Sequence, residues 1–252
     1  MNILVTNDDG IESRSLPLLI RHLQKFARVL AVVPDREMSG ASHSITLMRP
    51  LRGRQVRKNV YTLDGTPTDC VNIVLLGGIK FPKIDLVISG VNRGPNLSED
   101  VFYSGSVAGA REGALFGLPS LAVSLDTENE EPDFSFSAEL TARFVRQTEW
   151  LPRLLLNVNV PDLARKSIRG LKLTRLGNRR YHDALIKRED PWGNPYFWLK
   201  GKSLTYTKTV GTDYYEVKKG FISVTPLSLD ITDRAGLDRL RSLAVKPRKR
   251  RS

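Results

Sequence analysis

The stretch NILVTNDDGIESRSLPLLIRHLQKFA (residues 2–27) decides the fold class that this sequence predicts. NILVT (residues 2–6) is a short, β-rich apolar run, which is typical of a strand. NDDG consists of turn-forming residues. In the segment that follows (residues 15–27), apolar residues recur at helical spacing at Leu16, Leu19, Ile20 and Leu23. The chain is therefore expected to open with a strand, a loop and an amphipathic helix.

Three further apolar runs are suited to strands that are buried on both faces. They are RVLAVVP (28–34), IDLVISG (84–90) and PSLAVSL (119–125). Helical windows at residues 67–76 and about 106–115 alternate with these runs. This alternation predicts an α/β fold with a Rossmann-like three-layer core around a parallel or mixed central sheet.

The pattern changes after about residue 154. Residues 154–161 and 170–177 look like strands, whereas residues 181–204 mix charges with prolines, glycines and aromatic residues that include Trp192. We expect this last segment to form a protruding hairpin arm that makes a subunit contact. A terminal helix is expected around residues 234–243. The predicted organisation is a single domain over 1–252, with a core at 1–150, C-terminal strands, arm and helix at 151–245, and a disordered basic tail at 246–252.

Composition places the chain among ordinary globular proteins. It has 252 residues, 40% of them hydrophobic, and 39 basic against 27 acidic side chains. Cys70 stands alone, which predicts a reducing compartment and a structural role for this residue. The N-terminus has no basic leader or signal-length apolar run. No apolar run approaches the ~20 residues that cross a bilayer. We therefore expect a cytoplasmic protein that does not enter membranes.

The net charge of +12 is unevenly distributed. Residues 1–140 carry 14 basic and 17 acidic side chains, whereas residues 141–252 carry 25 basic and 10 acidic ones. The tail KPRKRRS (246–252) is too polar to pack. A solvated tail is the favoured interpretation, and an arm that contacts nucleic acid or polyphosphate is the alternative.

The first candidate site is the loop after the first strand, because ligands of doubly wound sheets collect at the carboxyl ends of strands. It contains Asn7, Asp8, Asp9 and Gly10. Adjacent carboxylates repel each other, and a cation between them relieves that repulsion. The same pair could instead cap the following helix. Metal site and helix cap are both open at this point.

Three further segments hold candidate site residues. Ser104, Gly105 and Ser106 precede an Ala-rich helix, whose free N–H groups and positive dipole end favour a phosphate, although Ser104 could equally be an ordinary N-cap. The loops at 38–44 and 89–96 are rich in Ser, Gly and Asn, which by themselves indicate turns. In GTPTDCV, Thr66, Pro67 and Asp69 predict a helix N-terminus with a structural role.

Several phosphate-handling classes are excluded by their motifs. Gly201, Lys202 and Ser203 resemble the end of a P-loop, but Tyr196 stands where that motif requires glycine. No GxGxxG follows the first strand, so a dinucleotide site has no support. A covalent aspartyl-phosphate mechanism would need Asp at the position of Asn7.

Taken in order, these motifs resemble the SurE survival protein family of metal-dependent nucleotidases. The resemblance covers residues 2 to about 240 and rests on LVTNDDG, SGASHSIT, GTPTDCV, VISGVNRGPN, FYSGSVAGAREG, LNVNVP and TPLSLDIT. It implies hydrolysis of nucleoside 5′- and 3′-monophosphates, in some members also of short polyphosphate. It further implies one divalent cation per subunit and a homodimer or homotetramer built partly from C-terminal elements.

The resemblance also implies roles for individual residues. The metal ligands would be Asp8, Asp9, Ser39 and Asn92, whose oxygen atoms suit Mg²⁺ or Mn²⁺. The two aspartates would be catalytic through the metal, which would activate a water for in-line attack on phosphorus. The substrate phosphate would be held by a set of donors comprising Asn92, Asn96, Ser104, Gly105 and Ser106. Departures from the family pattern are Ser106 in place of Thr, Trp192 in place of a basic residue and Glu216 in place of a small one.

Two other classes of function compete with this hypothesis. A non-catalytic protein could bind nucleic acid through the basic C-terminal half, with the aspartates acting as a cap. A nucleoside hydrolase would use clustered aspartates and a cation to release the base rather than phosphate. His22, His43 and His182 are expected to be surface or structural residues.

Overall fold

The computed structural model of this protein describes residues 1–206 and 208–241, with residues 179–184 and 200–206 described by their backbone alone. The predicted basic tail at 246–252 and the end of the predicted terminal helix lie outside the described residues. The described chain is a mixed α/β structure, as predicted.

Eleven strands occur in the described chain, and nine of them form one sheet. In chain order they are β1 (Asn2–Thr6), β2 (Arg28–Pro34), β3 (Gly53–Arg57), β4 (Val60–Leu63), β5 (Leu86–Arg93), β6 (Ser120–Asp126), β7 (Leu155–Pro161), β8 (Leu171–Leu173), β9 (Arg179–Glu189), β10 (Pro195–Tyr206) and β11 (Ile222–Leu227). The order across the large sheet is β3-β4-β2-β1-β5-β6-β7-β11-β8. The six strands from β4 to β7 are parallel, and β3, β11 and β8 run the other way.

Helices cover both faces of this sheet. The α-helices are α1 (Ser15–Leu23), α2 (Pro67–Leu75), α3 (Gly105–Leu115), α4 (Ser135–Gln147), α5 (Asp213–Lys218) and α6 (Arg234–Leu240). α1 and α4 pack together on one face, and α2 and α3 pack together on the other. This arrangement confirms the predicted Rossmann-like three-layer core.

The apolar residues of β1 show why two helical layers are needed. Ile3 and Val5 pack with Leu16 of α1 on one face, whereas Leu4 packs with Cys70 of α2 on the other. Successive side chains of a strand point to opposite faces, so a continuous apolar strand needs cover on both. Cys70 is fully buried, and this burial raises the pKa of its thiol well above the usual range. Its predicted structural role is confirmed.

The strand order reverses next to β1. The chain passes from β1 to β2 on one side and later to β5 on the other. At such a switch point the loops leaving adjacent strands diverge and open a crevice at the carboxyl ends. The loop after β1 and the end of β5 therefore face the same crevice, as the sequence motifs required.

Several elements were not predicted from the sequence, among them β3, β4, α4 and α5. β3 (GRQVR) is exposed along its whole length and shows no apolar alternation, and β4 has only four residues. The buried face of α4 includes Ser137, Ala138, Thr141 and Ala142, which give a weak apolar period. The α2 N-terminus was predicted correctly, because Thr66 and Asp69 form a reciprocal capping box with Pro67 in the first turn.

The predicted hairpin is present as β9 and β10, which pair antiparallel in a separate two-stranded sheet. Trp192 lies in the turn between them and is 83% exposed. None of the described helices combines the length and apolar character that crossing a bilayer requires.

Candidate metal and phosphate site

A cleft of about 330 Å³ opens at the carboxyl edge of the sheet. Five of the predicted site residues line it, namely Asp8, Ser39, Asn92, Asn96 and Ser104. They come from four separate loops or strand ends spread over almost a hundred residues of sequence. Asp9 and Arg93 line an adjoining cleft of about 200 Å³, and Arg93 borders both.

Asp8 is buried beneath the cleft and held by the start of α3. Its side chain accepts hydrogen bonds from the Ser106 hydroxyl at 2.6 Å and from the Ser106 backbone N–H at 3.0 Å. Its carbonyl oxygen accepts the Met38 N–H at 2.7 Å, which brings the next loop to the site. Burial raises the pKa of Asp8, and the two hydrogen bonds from Ser106 oppose that shift.

Asp9 is the second carboxylate of the pair. Its Oδ2 accepts the backbone N–H of Arg93 at 3.2 Å. Burial, followed by the charge of neighbouring Asp8, raises the pKa of Asp9 to about 7. Two adjacent carboxylates in a poorly solvated place are unfavourable by themselves, and a bound cation would remove that penalty.

The proposed alternative, a helix cap, is wrong for both aspartates. α1 begins at Ser15 and its N-cap residue is Arg14, so neither Asp8 nor Asp9 caps it. Their loop is instead closed by Asn7, whose Oδ1 accepts the Gly10 N–H at 3.1 Å. The two carboxylates are therefore available for another role.

Ser39 and Asn92 present oxygen atoms to the same cleft. The Ser39 hydroxyl donates to Glu37 at 2.8 Å, which leaves its oxygen lone pairs for a cation. Asn92 donates its Nδ2 to the Gly94 carbonyl at 2.8 Å, and no described residue donates a hydrogen bond to its amide oxygen. Carboxylate, amide and hydroxyl oxygens form the donor set that Mg²⁺ or Mn²⁺ prefers, so these residues fit the implied cation.

A bulge in β5 sets the position of Asn92. The register with β6 shifts between Ser89 and Asn92. Gly90 has a φ of 138°, and a Cβ there would collide with the carbonyl oxygen of Val123. Bulges commonly redirect a side chain beside a functional site. The bulge therefore requires glycine at position 90, and the position of Asn92 in the site depends on that bulge.

The N-terminus of α3 forms the other wall. The Ser104 hydroxyl accepts the Val107 N–H at 3.0 Å, so Ser104 is a true N-cap. The Ser104 and Ser106 N–H groups bind Asp100 and Asp8, respectively. Of the four N–H groups from Ser104 to Val107, only that of Gly105 has no acceptor in the part of the chain that the structure describes. This group and the helix dipole are suited to an anion.

Ser106 and Asn96 have structural partners that the sequence did not reveal. The Ser106 hydroxyl donates its proton to Asp8, so its contact in this structure is with a carboxylate rather than with the open cleft. Asn96 donates its Nδ2 to Ser124 at 2.7 Å, and its backbone is bound by the side chains of Asn157 and Asn159. The two asparagines in LNVNVP were a sequence signal that could have revealed the contacts with Asn96, because polar side chains in a buried strand need hydrogen-bond partners.

The loop that carries Ser39 is anchored to α3. His43 Nε2 lies 2.6 Å from Glu112 Oε2, and the Ser42 hydroxyl donates to the Phe102 carbonyl at 2.6 Å. His43 therefore has the structural role that was expected. Glu216 is also structural, because it is buried and paired with Lys172 at 2.6 Å.

Ser106 offers a first test of the geometry. Ser106→Ala is expected to weaken Mn²⁺ binding by about 10- to 100-fold, because removing the hydroxyl leaves Asp8 less firmly oriented. Ser106→Thr keeps the hydroxyl and should bind Mn²⁺ nearly as wild type does. Isothermal titration calorimetry measures both variants. Equal Mn²⁺ affinity of wild type and Ser106→Ala would contradict a positioning role for this hydroxyl.

Comparisons with known proteins point to one family. The family model described as "Survival protein SurE" matches residues 3–183. The chain is 44% identical over 246 residues to "5′-nucleotidase SurE" of Geobacter sp. (strain M21), covering 96% of this chain and 98% of that protein. It is 43% identical over 246 residues to "5′-nucleotidase SurE" of Legionella pneumophila (strain Lens), covering 96% and 97%.

A solved structure shows the same fold. The crystal structure of the SurE protein from Aquifex aeolicus matches with a TM-score of 0.83 and 40% sequence identity, covering 96% of this chain and 99% of that one. The family model and the full-length relatives lead to one conclusion: this chain belongs to the SurE family.

Proposed function

We propose that this protein is a hydrolase that converts nucleoside 5′-monophosphates into nucleoside and phosphate. The observation that carries the proposal is the direct contact between Asp8 and the N-terminus of α3. It places a carboxylate suited to a divalent cation beside a helix end suited to a phosphate. The names of the curated relatives support the same activity.

The proposal includes one divalent cation, Mg²⁺ or Mn²⁺, held by Asp8, Asp9, Ser39 and Asn92. When bound, such a cation supplies charge neutralisation at the phosphate and a more acidic water. The chain's own contribution is to orient its ligands. Ser106 donates two hydrogen bonds to Asp8, and these favour the ionised form of Asp8. The backbone N–H of Arg93 donates one hydrogen bond to Asp9, which favours the ionised form of Asp9.

The proposed phosphate contacts come from Gly105 and Asn96, with Asn92 and Ser104 beside them. Ser106, the fifth residue of the predicted set, contributes in this proposal by holding Asp8 with both of its donors. The Gly105 N–H has a fixed direction because it belongs to a helix, and Asn96 is held by buried polar partners. Donors that are fixed before the substrate arrives lose little free energy when charge develops at phosphorus. We extend the proposal to nucleoside 3′-monophosphates and short polyphosphate, whose phosphate groups offer the same oxygen atoms.

The stability of the metal-free protein is expected to fall as the pH rises. The pKa of Asp9 is about 7 in the folded chain against 3.8 as its ordinary value, so the folded state binds this proton more tightly than the unfolded state does. That contribution is complete below about pH 4 and is lost as the pH rises to about 7. Thermal unfolding with chelator between pH 4 and pH 8 measures it.

Mn²⁺ is expected to reverse this loss, because it stabilises the ionised carboxylates. The rise in Tm on adding Mn²⁺ should therefore be larger at pH 8 than at pH 5. Asp9→Asn is the matched control, since it removes the titrating group and should flatten the pH dependence of the metal-free protein. A metal-free Tm that rises between pH 5 and pH 8 in wild type would contradict the assignment.

We also propose that the hairpin joins chains into a homodimer or homotetramer. Its described side chains include large exposed apolar residues, among them Leu185, Trp192, Phe197, Trp198 and Leu199. Such a cluster is unfavourable in water and suited to a protein interface. Sedimentation equilibrium should give the mass of two or four chains. A cytoplasmic location is part of the same proposal.

The decisive experiment measures phosphate release from a panel of nucleoside monophosphates with Mn²⁺, Mg²⁺ or chelator. We expect release that requires the cation. Release of free base instead of phosphate would indicate a nucleoside hydrolase. Absence of both, together with RNA binding that weakens steeply with salt, would indicate a nucleic-acid-binding protein that uses its basic C-terminal half.

A further inference from the structure

The outer side of β8 (Leu171–Leu173) is one open edge of the large sheet. β8 pairs in parallel with β11, and no described strand pairs with its other side. On either side of β8, the Gly170 carbonyl and the Thr174 N–H form hydrogen bonds with β11 at 2.8 and 2.9 Å. Because backbone groups alternate in direction along a strand, the N–H and C=O groups of Leu171 and Leu173 point outward. Such outward groups are a template for a further strand.

The charged residue of β8 does not shield this edge. Lys172 is bound to Glu216 at 2.6 Å, and its ammonium group lies 4.1 Å from the centre of the Phe221 ring. Its side chain is therefore held on one face of the sheet. On the opposite face, Leu171 and Leu173 are 46% and 75% exposed. The other edge strand, β3, differs because it is interrupted by a bulge, which hinders pairing.

A groove of about 280 Å³ lies between β8 and α4. Its lining is largely apolar and includes Phe136, Leu140, Phe144, Leu171 and Ile222. Side chains of neighbouring strands share a face of the sheet, so a strand added beside Leu171 would present alternate side chains next to this groove. An apolar side chain of the added strand can be buried there. The groove thus supplies the specificity that backbone hydrogen bonds lack.

The charge around this edge determines which segment can bind. Residues 163–177 contain five basic side chains and no acidic one. Arg143 and Arg165 line the groove, and Arg143 is exposed with no ion-pair partner among the described residues. A second copy of β8 would bring the same positive charges together, and the basic tail at 246–252 would be repelled for the same reason. An acidic segment would be attracted.

We infer that the outer edge of β8 and its groove form a docking site for an extended, acidic segment of another protein. The segment adds one strand to the sheet, places an apolar side chain in the groove and sets acidic side chains near Arg143. Three strands separate β8 from β5, which carries Asn92. Docking therefore does not compete with the catalytic cleft, and the inference does not depend on the proposed function.

Fluorescence anisotropy with the full chain tests the inference. The probe is a fluorescein-labelled, end-blocked heptapeptide in which Glu alternates with Val and Leu. We expect saturable binding that weakens as the NaCl concentration rises, because the attraction is partly electrostatic. The same peptide with Lys in place of Glu should not bind.

Two variants separate the backbone contact from the charge. Leu173→Pro removes an outward N–H where an edge strand tolerates proline, and the loss of this hydrogen bond should weaken peptide binding about tenfold. Leu173→Ala is the matched control, because it keeps the N–H and should bind within about threefold of wild type. Arg143→Glu should weaken binding about tenfold by repelling the peptide, whereas Arg143→Lys should retain it. Unchanged unfolding temperatures would show that each variant is folded.

Several outcomes would overturn the inference. Among them are no binding by wild type at low salt, equal binding of the Glu and Lys peptides, and full binding by both Leu173→Pro and Arg143→Glu. A lower mass of Leu173→Pro than of wild type in sedimentation equilibrium would assign the edge to a second copy of this chain. Binding of a uridine oligonucleotide that is stronger than that of the peptide, and lost in Arg143→Glu but not in Leu173→Pro, would assign the surface to nucleic acid.

Discussion

Replacing Asp8 by asparagine is expected to lower kcat/KM for AMP by about 10³-fold, the largest loss that any single change in this cleft should produce. The amide has the shape of the carboxylate but lacks its charge. It can still accept the Ser106 N–H, and the Ser106 hydroxyl can turn to accept from the new NH₂ group. The change therefore removes the electrostatic contribution to cation binding and leaves the packing in place.

Stability distinguishes this loss from misfolding. Burial raises the pKa of Asp8, which means that the folded chain disfavours this charge when no cation is bound. Metal-free Asp8→Asn should therefore unfold at the same temperature as metal-free wild type or at a higher one. Adding Mn²⁺ should raise the Tm of wild type and have little effect on the variant.

Asp126→Asn is the matched control for Asp8→Asn. Asp126 ends β6 at the same edge of the sheet and pairs with Lys218 at 2.8 Å, outside the cleft. The same loss of one negative charge there should leave metal-dependent phosphate release intact. Full activity of Asp8→Asn, measured beside this control, would show that the aspartate pair is not the metal site.

How far the sequence predicts this site depends on how local each contact is. The β1–loop–α1 unit is a local pattern, so NILVT and the spacing of Leu16, Leu19 and Leu23 were sufficient to predict it. The neighbouring positions of Asp8 and Asn92 followed from parallel pairing of β1 and β5, which a doubly wound fold implies. Residue type and fold topology were enough for these features.

Long-range side-chain partners could not be predicted in this way. Ser106 and Asp8 are 98 positions apart, and a serine at a helix start is equally suited to capping, phosphate binding or holding a carboxylate. Asp8 and Asp9 looked equally suited to a metal and to a helix cap until the start of α1 was known.

Gly105→Ala is expected to reduce kcat/KM by about 10²-fold, the second largest effect, although the change adds one methyl group. Alanine normally stabilises a helix relative to glycine by about 0.5–1 kcal/mol. A Cβ at Gly105, however, would lie 2.9 Å from the Asp8 Cβ and 3.0 Å from its Oδ2. These contacts are too close, so either Asp8 or the start of α3 must move.

Movement of either group changes the distance between the Asp8 carboxylate and the Gly105 N–H. The proposed cation and the substrate phosphate would then no longer be held at the right distance from each other.

Gly113→Ala in the same helix is the matched control. A Cβ there would meet Ser120 Oγ and Val87 Cγ2, both at 2.6 Å, far from the cleft. It should lower the free energy of unfolding by about 1–3 kcal/mol while the folded enzyme keeps its kcat/KM. Gly105→Ala should show the opposite pattern. The helix preference for alanine offsets part of the cost of the close contacts, so stability changes less, whereas kcat/KM falls by about 10²-fold. If both variants kept wild-type kcat/KM, the close approach of α3 to Asp8 would not be what sets the rate.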